Sequence, residues 1–232
     1  MQASAHAMMF ANVPDNDFIT EAIYATLKAN GMSDGAHIRL TLTRGEKITS
    51  GMDPRLNQSG CTLIVLAEWK APVYQNAITL ITSSIRRNGP ANIDSKIHHN
   101  NLINNILAKI EANNAGADDA LMLDNNGFVA ETNACNILMI KNGMVFTPNA
   151  DACLPGITRK TVITLCQQNN IPIHLKNISL TEMYNADQVF TTGTMGELTA
   201  VKMIDGRAII NRSGTDLLQH INDLFRNLTL AL

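Results

Sequence analysis

The most restrictive feature of this sequence is a series of short β-type segments joined by asparagine–glycine turns in the middle of the chain. The turn sequences 125–127 (Asn-Asn-Gly) and 141–143 (Lys-Asn-Gly) each separate two apolar segments. An Asn-Gly pair between such segments is a strong signal for a β-hairpin, whose strands are antiparallel. This region therefore does not fit a doubly wound sheet of parallel strands. The predicted strands are Ala120–Leu123, Phe128–Ala130, Ile137–Ile140 and Val145–Thr147.

Helical signals and further strand signals lie on both sides of the hairpins. Residues 17–30 carry apolar residues at helical spacing, with Asp15 or Asp17 suited to begin the helix and Gly31 to end it. The segment 61–67 is continuously apolar, which predicts a strand buried on both faces. Other helices are predicted at 96–115, 158–169 and 213–228, the first with an apolar stripe of Leu102, Ile103, Ile106, Leu107 and Ile110. Other strands are predicted at 37–43, 77–83, 172–175 and 188–191.

Length and element order together predict two domains. A chain of 232 residues, 45% of them hydrophobic, can bury one large core or two modest ones. Residues 68–76 (Glu-Trp-Lys-Ala-Pro-Val-Tyr-Gln-Asn) are the best candidate for a linker. We therefore expect a small N-terminal α/β domain at 1–67 and a larger domain at 77–232, in a mixed α/β or α+β fold.

Charge and hydropathy exclude several classes of partner. The formal net charge is −2, so the sequence lacks the basic footprint that nucleic acid or an anionic membrane surface requires. No apolar run approaches the ~18 residues of a membrane span, and no signal peptide opens the sequence. The four cysteines match no CxxC pattern. We expect a cytoplasmic protein with reduced thiols and without nucleic-acid or membrane partners.

Two segments that contain glycine and threonine are candidate anion sites. Residues 154–159 (Leu-Pro-Gly-Ile-Thr-Arg) place Gly156 and Thr158 where a loop enters a helix, and free backbone N–H groups there favour a phosphate. Residues 191–197 (Thr-Thr-Gly-Thr-Met-Gly-Glu) form a second such turn after a strand. Each segment, taken alone, is more often an ordinary helix cap or turn. Both in one chain, without a dinucleotide or P-loop motif, predict a different phosphorylated ligand.

Lys96 and Glu131 are the candidate chemical groups. Lys96 is predicted at the start of a helix, where a lysine opposes the helix dipole, and a desolvated amine there would act as a nucleophile. A solvated lysine is the alternative. Glu131 ends a strand and is either a capping residue or an inward-facing acceptor. His98 and His99 are neighbours on the predicted helix and point apart, so no metal site is expected.

These residues together resemble the signature of the class IV aminotransferases. These are the fold-type IV pyridoxal-phosphate enzymes, which include branched-chain aminotransferases, D-amino acid aminotransferases and aminodeoxychorismate lyases. The resemblance covers essentially the whole chain, and its combination of residue types and spacings is far more specific than any one segment. It implies a small N-terminal α/β domain and a larger pseudo-barrel domain. The matching segments are 37–40, 44–45, Lys96, 131–138, 145–148, 154–159, 193–199 and 204–206.

The resemblance gives a role to each candidate residue. Lys96 matches the lysine that forms a Schiff base with pyridoxal phosphate and then moves a proton between substrate and cofactor. Glu131 matches the acid that pairs with the pyridine nitrogen, and Leu154 matches the apolar residue under the ring. The phosphate contacts match Gly156, Ile157, Thr158, Gly193 and Thr194, and the contacts to the substrate carboxylate match the amides of Thr194 and Met195.

Arg39 is the residue that bears on the choice of substrate. It stands where branched-chain aminotransferases keep an arginine for the distal carboxylate of glutamate. D-amino acid enzymes tend to carry an Arg-x-His pair after the Arg-Gly turn, and no such pair follows Arg44 and Gly45. The resemblance therefore implies transamination between branched-chain L-amino acids and 2-oxoglutarate. A plain strand role for Arg39, D-amino acid transamination and aminodeoxychorismate lysis are the alternatives.

The sequence departs from the family pattern near the cofactor ring and at its first residues. Asn101 stands where branched-chain enzymes commonly have a tyrosine close to the ring oxygen. Residues 1–9 read as the middle of a helix, and the family's phosphate-binding arginine would fall immediately before Met1. We therefore expect a truncated N-terminal domain. The family works as a homodimer, which we expect here as well, and a truncated non-catalytic homologue is the further alternative.

Overall fold

The computed structural model describes residues 1–71, 73–74, 76–149 and 151–230. Contacts within the chain divide it into two units, Met1–Pro72 and Val73–Leu232. This division falls inside the predicted linker 68–76. Pro72 and Gln75 of that linker lie outside the described residues, as do Ala150, Ala231 and Leu232 of the second predicted domain.

The first unit contains two helices and a two-stranded antiparallel sheet. The second helix begins where the sequence predicts, because the Asp15 carboxylate accepts a hydrogen bond from the backbone N–H of Phe18 at 2.8 Å. The first helix confirms part of the helical reading of residues 1–9, and the Arg44 guanidinium donates to the carbonyls of Met8 and Met9 just after it. The elements are α1 (Gln2–Ala7), α2 (Asn16–Ala29), β1 (Ala36–Thr43) and β2 (Thr62–Trp69).

The prediction that the second strand is buried on both faces is wrong. Exposure alternates along β2, and Ile64 and Leu66 are 40% and 57% exposed. Their neighbours Leu63 and Val65 instead line a groove against α2. A two-stranded sheet with one helix on it has only one covered face, so an apolar run in such a strand places every second side chain on the open face.

The second unit is built on a mixed nine-stranded sheet, which confirms the predicted mixed α/β fold. Along the sheet the strand order is β5-β4-β3-β10-β9-β6-β7-β8, and β11 pairs with β10. The strands are β3 (Ile78–Thr82), β4 (Asp119–Leu123), β5 (Val129–Thr132), β6 (Asn136–Lys141), β7 (Met144–Pro148), β8 (Ile173–Lys176), β9 (Gln188–Gly193), β10 (Glu197–Ile204) and β11 (Arg207–Ala208). The helices are α3 (Ile103–Asn114), α4 (Ile157–Gln168), α5 (Leu180–Tyr184) and α6 (Leu217–Leu230).

Both predicted hairpins are present. The β6–β7 turn has positive φ at Asn142 (51°) and Gly143 (72°), the backbone conformation that an Asn-Gly pair adopts most easily. In the β4–β5 hairpin, Gly127 has a φ of 85° and its N–H donates to the carbonyl of Asp124. The local turn chemistry therefore accounts for the antiparallel part of the sheet.

The predicted helix 96–115 begins seven residues later than expected. It starts at Ile103, and residues 83–102 form an irregular segment that contains Lys96. Histidine and asparagine at 98–101 are weak helix formers, so the apolar spacing does not continue back to Lys96. The helix packs on the sheet through Ala108 and Ala112, whereas the large apolar side chains of its N-cap residue and of its first two turns are 39–64% exposed: Leu102, Ile103, Ile106, Leu107 and Ile110.

Strand β10 lies at the centre of the sheet and was not predicted. It runs parallel to β3 on one side and antiparallel to β9 on the other. Helices α4 and α6 pack on the face formed by β6 and β9, against Leu138, Ile140 and Phe190. This packing brings the start of α4 to the start of β6 and the end of β9.

Within the described ranges, no helix has the length and apolar character that crossing a membrane would need. In the same ranges, no three histidine, cysteine or carboxylate side chains lie close enough to hold a metal ion.

Candidate functional site

The site is centred on the buried carboxylate of Glu131, near the end of β5. Its Oε1 atom lies 2.5 Å from Nε of Arg87, and both side chains are only 7% exposed. Its Oε2 atom accepts a hydrogen bond from Nδ2 of Asn136 at 3.0 Å. The backbone N–H of Leu154 lies 3.4 Å from both oxygens. Glu131 is therefore an inward-facing acceptor and not a capping residue.

Two opposing effects act on the ionisation of Glu131. Burial raises the pKa of its carboxyl group, because a charged form loses its hydration in the interior. The charge and the hydrogen bond of Arg87 oppose this shift. A carboxylate in this position is thus stabilised by a few specific donors and not by solvent.

Asn136 connects this carboxylate to the loop before α4. Its Nδ2 atom also donates to the carbonyl of Leu154 at 2.8 Å. Gly156 lies against the oxygen of the Asn136 side-chain amide, because a Cβ added to Gly156 would stand 2.1 Å from Oδ1 of Asn136. Only glycine fits at position 156 while Asn136 keeps its place, so Glu131, Asn136 and the 154–156 loop form one packed group.

The start of α4 leaves backbone donors available. Gly156 is its N-cap residue and has no side chain to accept from the first turn. Thr158 is buried, whereas Ile157 is largely exposed. The N–H groups at the start of a 12-residue helix carry a partial positive charge and favour an anion.

The end of β9 borders the same group. Thr192 pairs in register with Asn136, so their side chains share one face of the sheet. Thr192 is only 3% exposed, and its buried hydroxyl has no hydrogen-bond partner among the described residues. Gly193 follows, where an added Cβ would lie 2.9 Å from Sγ of Cys135. The predicted Thr194 and Met195 form the turn between β9 and β10.

Lys96 lies in the irregular segment 83–102 and is 42% exposed on its side chain. Its Nζ atom is 3.6 Å from Oδ1 of Asp94, whose same oxygen accepts the backbone N–H of Lys96 at 2.9 Å. Burial raises the pKa of the Cys153 thiol to about 12; Glu131 adds to that shift and the charge of Lys96 opposes it. The charges of Lys96 and Glu131 therefore act in opposite directions on the pKa of the Cys153 thiol.

Helix α3 holds the segment that carries Lys96. The Glu111 carboxylate accepts hydrogen bonds from the Ser83 hydroxyl at 2.5 Å, from the backbone N–H of Ser84 at 2.9 Å and from the Ser84 hydroxyl. Nδ2 of Asn104 donates to Oδ1 of Asn88 at 2.7 Å. These contacts fix residues 83–88, the first part of the stretch between β3 and Lys96.

Arg39 belongs to the first unit, where it is an exposed residue of β1. Its cross-strand partner is Leu66, and Ile64 lies two residues further on the same face. A guanidinium is thus flanked by exposed apolar side chains on the open face of the two-stranded sheet.

The structure brings Glu131, Leu154 and Gly156 together and adds residues that the sequence analysis missed. Two of these, Asn136 and Arg159, stand inside the segments that were compared with the family, without a role assigned to them. Thr192 stands inside the predicted 191–197 turn. Arg87 had no local signal, because its partner Glu131 is 44 residues away along the chain.

Comparison with known proteins yields one family and several related structures. The model of the family described as "Amino-transferase class IV" matches residues 1–204. "Branched-chain-amino-acid aminotransferase-like protein 2" of Arabidopsis thaliana is 58% identical over 228 residues, and the match spans 97% of this chain but only 41% of that protein.

Two solved structures have the same fold over nearly all of this chain. The branched-chain aminotransferase of Thermoproteus uzoniensis with norvaline has a TM-score of 0.91 at 28% identity, covering 99% of this chain and 76% of the other. The T.th. branched-chain amino acid aminotransferase in complex with N-(5'-phosphopyridoxyl)-L-glutamate has a TM-score of 0.88 at 30% identity, covering 97% of this chain and 75% of the other.

Proposed function

The chain belongs to the class IV aminotransferase family, and on that premise we propose that it is a pyridoxal-phosphate-dependent aminotransferase. In this proposal it moves an amino group between a branched-chain L-amino acid and 2-oxoglutarate. The observation that carries the proposal is that a buried carboxylate and a helix start with free donors form one packed group in the second unit, which also carries Lys96. Pyridoxal phosphate has a ring nitrogen, a phosphate and an aldehyde, which call for these three groups.

The residues present fit this cofactor. Glu131 would accept a hydrogen bond from the protonated ring nitrogen. The amides at Ile157 and Thr158 would hold the phosphate together with Gly156, Gly193 and Thr194. The unpartnered hydroxyl of Thr192 is a buried donor next to that second contact, and such a group calls for a polar ligand.

The chain's own residues divide the chemical work. When bound, the cofactor supplies a conjugated ring that delocalises the electron pair left by loss of the substrate's α-proton. The Lys96 amine would hold the cofactor through its aldehyde carbon with release of water and, once displaced by the substrate's amine, would accept and deliver that proton. Glu131 keeps the ring nitrogen protonated, and the side chain of Leu154 excludes water from the ring face. The amides of Thr194 and Met195 bind the substrate carboxylate.

Arg39 is proposed to bind the distal carboxylate of glutamate and 2-oxoglutarate. A guanidinium binds carboxylates in a bidentate geometry, and its neighbours Ile64 and Leu66 suit an aliphatic side chain. The glutamate adduct in the related T.th. structure agrees with this substrate class.

A second copy of the chain is the proposed partner. The exposed apolar row of α3, from Leu102 to Ile110, is a contiguous surface of the kind that a symmetric pair of subunits covers. Helix α3 also holds the Lys96 segment, so pairing there would steady the site. A cytoplasmic location stays a prediction.

Borohydride trapping tests the cofactor assignment. The protein is incubated with pyridoxal phosphate and reduced, and its peptides are mass-mapped. We expect the phosphopyridoxyl group on the peptide that contains Lys96, its loss in Lys96→Ala, and its retention in Lys202→Ala, which removes an exposed lysine on β10. Absence of the label from the unmodified protein would contradict the proposal and favour a non-catalytic homologue.

An amino-donor panel tests the substrate class. We expect turnover of L-leucine, L-isoleucine and L-valine with 2-oxoglutarate. In Arg39→Met we expect KM for 2-oxoglutarate to rise about tenfold or more, with a smaller change for L-leucine, because only the first substrate has a distal carboxylate. Turnover of D-alanine without turnover of the branched-chain L-amino acids would support the D-amino acid alternative instead.

A further inference from the structure

Arg159 is a buried cation whose partners are all neutral. It stands in the first turn of α4 and is 5% exposed. Its Nε atom donates to the hydroxyl of Thr147 at 2.9 Å, and Nη2 donates to the carbonyl of Pro148 at 2.7 Å. Among residues 1–71, 73–74, 76–149 and 151–230, it forms no ion pair with a carboxylate.

The other buried arginine of the site shows the contrast. Arg87 is equally enclosed but has the Glu131 carboxylate at 2.5 Å. A guanidinium stays protonated, and a buried charge is costly unless something of opposite sign compensates it. Arg159 therefore leaves a positive charge at the base of α4 that hydrogen bonds to neutral dipoles only partly offset.

The side chain of Arg159 leaves the backbone beside the candidate phosphate site. An added Cβ on Gly156, the N-cap residue of α4, would stand 3.9 Å from Cβ of Arg159. The field of Arg159 opposes the burial effects that raise the pKa of both Glu131 and Cys153. Its influence thus extends to negative charge at the site, where the unpartnered hydroxyl of Thr192 independently indicates a missing polar ligand.

We propose that Arg159 is a positioning residue of the phosphate site. Its charge strengthens the binding of a dianionic phosphate by the amides of Ile157 and Thr158. Because Arg159 is buried, this charge acts through the protein interior and solvent does not screen it. Its bonds to Thr147 and Pro148 fix the first turn of α4 to the end of β7. This inference rests on the proposed function, because it assumes that the anion held there is the cofactor's phosphate.

Removal of the charge at Arg159 tests the proposal. The variant Arg159→Met keeps a chain of similar length, and its binding of pyridoxal phosphate is measured by equilibrium dialysis. We expect affinity to fall about tenfold or more, as for loss of one charge-assisted contribution. The matched control is Lys160→Met, which removes a charge from the same turn at an exposed position. We expect less than about a twofold change there, because solvent screens that charge.

A spectroscopic readout separates an electrostatic role from a merely structural one. The ³¹P NMR shift of the bound phosphate is followed against pH. In Arg159→Met we expect the phosphate to lose its last proton at a higher pH than in the unmodified protein, because the dianion has lost a positive neighbour. An unchanged titration, or an equal effect of Lys160→Met, would overturn the proposal.

Two further variants keep the test decisive if Arg159→Met does not fold. Arg159→Lys retains the charge but not the planar fork, and Thr147→Val retains the charge but not one hydrogen bond. We expect both to bind more weakly with an unchanged phosphate titration, whereas a shifted titration in both would contradict the proposal. Trapping of the cofactor on Lys96 in the unmodified protein distinguishes failure of this inference alone from failure of the proposed function.

Discussion

At the scale of single residues, the site depends on a buried acid that is held by one cation and one amide. Glu131 has Arg87 on one oxygen and Asn136 on the other. Each partner comes from a different part of the chain, and each also contacts a segment that the site uses. Single substitutions here should therefore affect stability and ligand binding together.

Replacement of Arg87 by methionine should destabilise the protein in a pH-dependent way. It leaves Glu131 buried without its counter-charge, at an expected cost of about 3–5 kcal/mol near neutral pH. Burial raises the pKa of Glu131 above the usual value of 4.5, and without Arg87 only the smaller effects of the Leu154 N–H and the Arg159 charge oppose that shift. Stability of the variant should thus be highest below about pH 4.5 and should fall as pH rises through the folded pKa. Urea unfolding at several pH values measures this.

The double variant Arg87→Met/Glu131→Gln is the control for that prediction. It removes the titrating group, so it should regain part of the stability and lose the pH dependence. Equal stability of the single variant at all pH values would show that Glu131 is not the group responsible.

Replacement of Gly156 by alanine should disturb Asn136. The new Cβ would stand 2.1 Å from the amide oxygen, so Asn136 must move away from Glu131 and Leu154. We expect about 1–3 kcal/mol of destabilisation and weaker retention of pyridoxal phosphate. Gly89→Ala is the matched control, because its nearest atom is 3.8 Å away. Thermal melts and cofactor dialysis measure both effects, and equal behaviour of the two variants would contradict the steric argument.

The residues of the site differ in how far the sequence could predict them. Glu131 and the 154–159 loop lie in segments of characteristic spacing, so a comparison with the family finds them directly. Arg87 and Thr192 gain their roles from contacts between strands and loops that are distant along the chain, and no local pattern encodes such contacts. Arg159 was visible in its motif, but its lack of an acidic partner is a property of the folded chain.

At the scale of elements, α3 acts as the support of the segment 83–102. Glu111 gathers three donors from Ser83 and Ser84, and these hydrogen bonds lower the pKa of its carboxyl group. Because the pKa of Glu111 is lowered on folding, its hydrogen bonds stabilise the folded protein fully at pH values above 4.5, the usual pKa of a glutamate. This stabilisation is lost as pH falls through the pKa of Glu111 in the folded protein.

Replacement of Glu111 by glutamine should loosen that segment. We expect amide hydrogen exchange across 83–102 to become about tenfold faster at neutral pH, because charge-assisted hydrogen bonds are lost. The difference from the unmodified protein should shrink as pH falls below 4.5 and through the lowered pKa of Glu111, where the carboxylate itself becomes neutral. Glu21→Gln, at an exposed position on α2, serves as the control. Exchange rates that do not respond to Glu111→Gln would show that other contacts hold the segment.

The elements that were predicted well carry their own start and stop signals. Asp15 begins α2 and the Asn-Gly turn at 142–143 shapes the β6–β7 hairpin, both through local chemistry. Strand β10 lacks such a signal. Its buried and exposed residues do not alternate regularly, because its neighbour β3 comes from a distant part of the chain. The start of α3 was misplaced because apolar spacing alone does not mark a helix end.

At the scale of the whole molecule, the apolar row of α3 bears on assembly. We expect Ile106→Glu to convert a dimer into monomers, because it places a charge at the centre of the proposed contact. Leu175→Glu changes a similarly exposed apolar residue on β8 and should leave the dimer intact. Sedimentation velocity measures the association state of both variants and of the unmodified protein. An unmodified protein that sediments as a monomer would contradict the proposed contact, as would a dimer that is lost only in Leu175→Glu.

The central place of β10 has a consequence for how the protein is made. A ribosome delivers β3 about 120 residues before β10, its parallel neighbour. Until β10 emerges, the strands β3–β5 and the strands β6–β9 form two incomplete sheets, each with an open inner edge of the kind that pairs wrongly with other chains. Synthesis of this chain should therefore depend on a chaperone that shields nascent strand edges until β10 has left the exit tunnel.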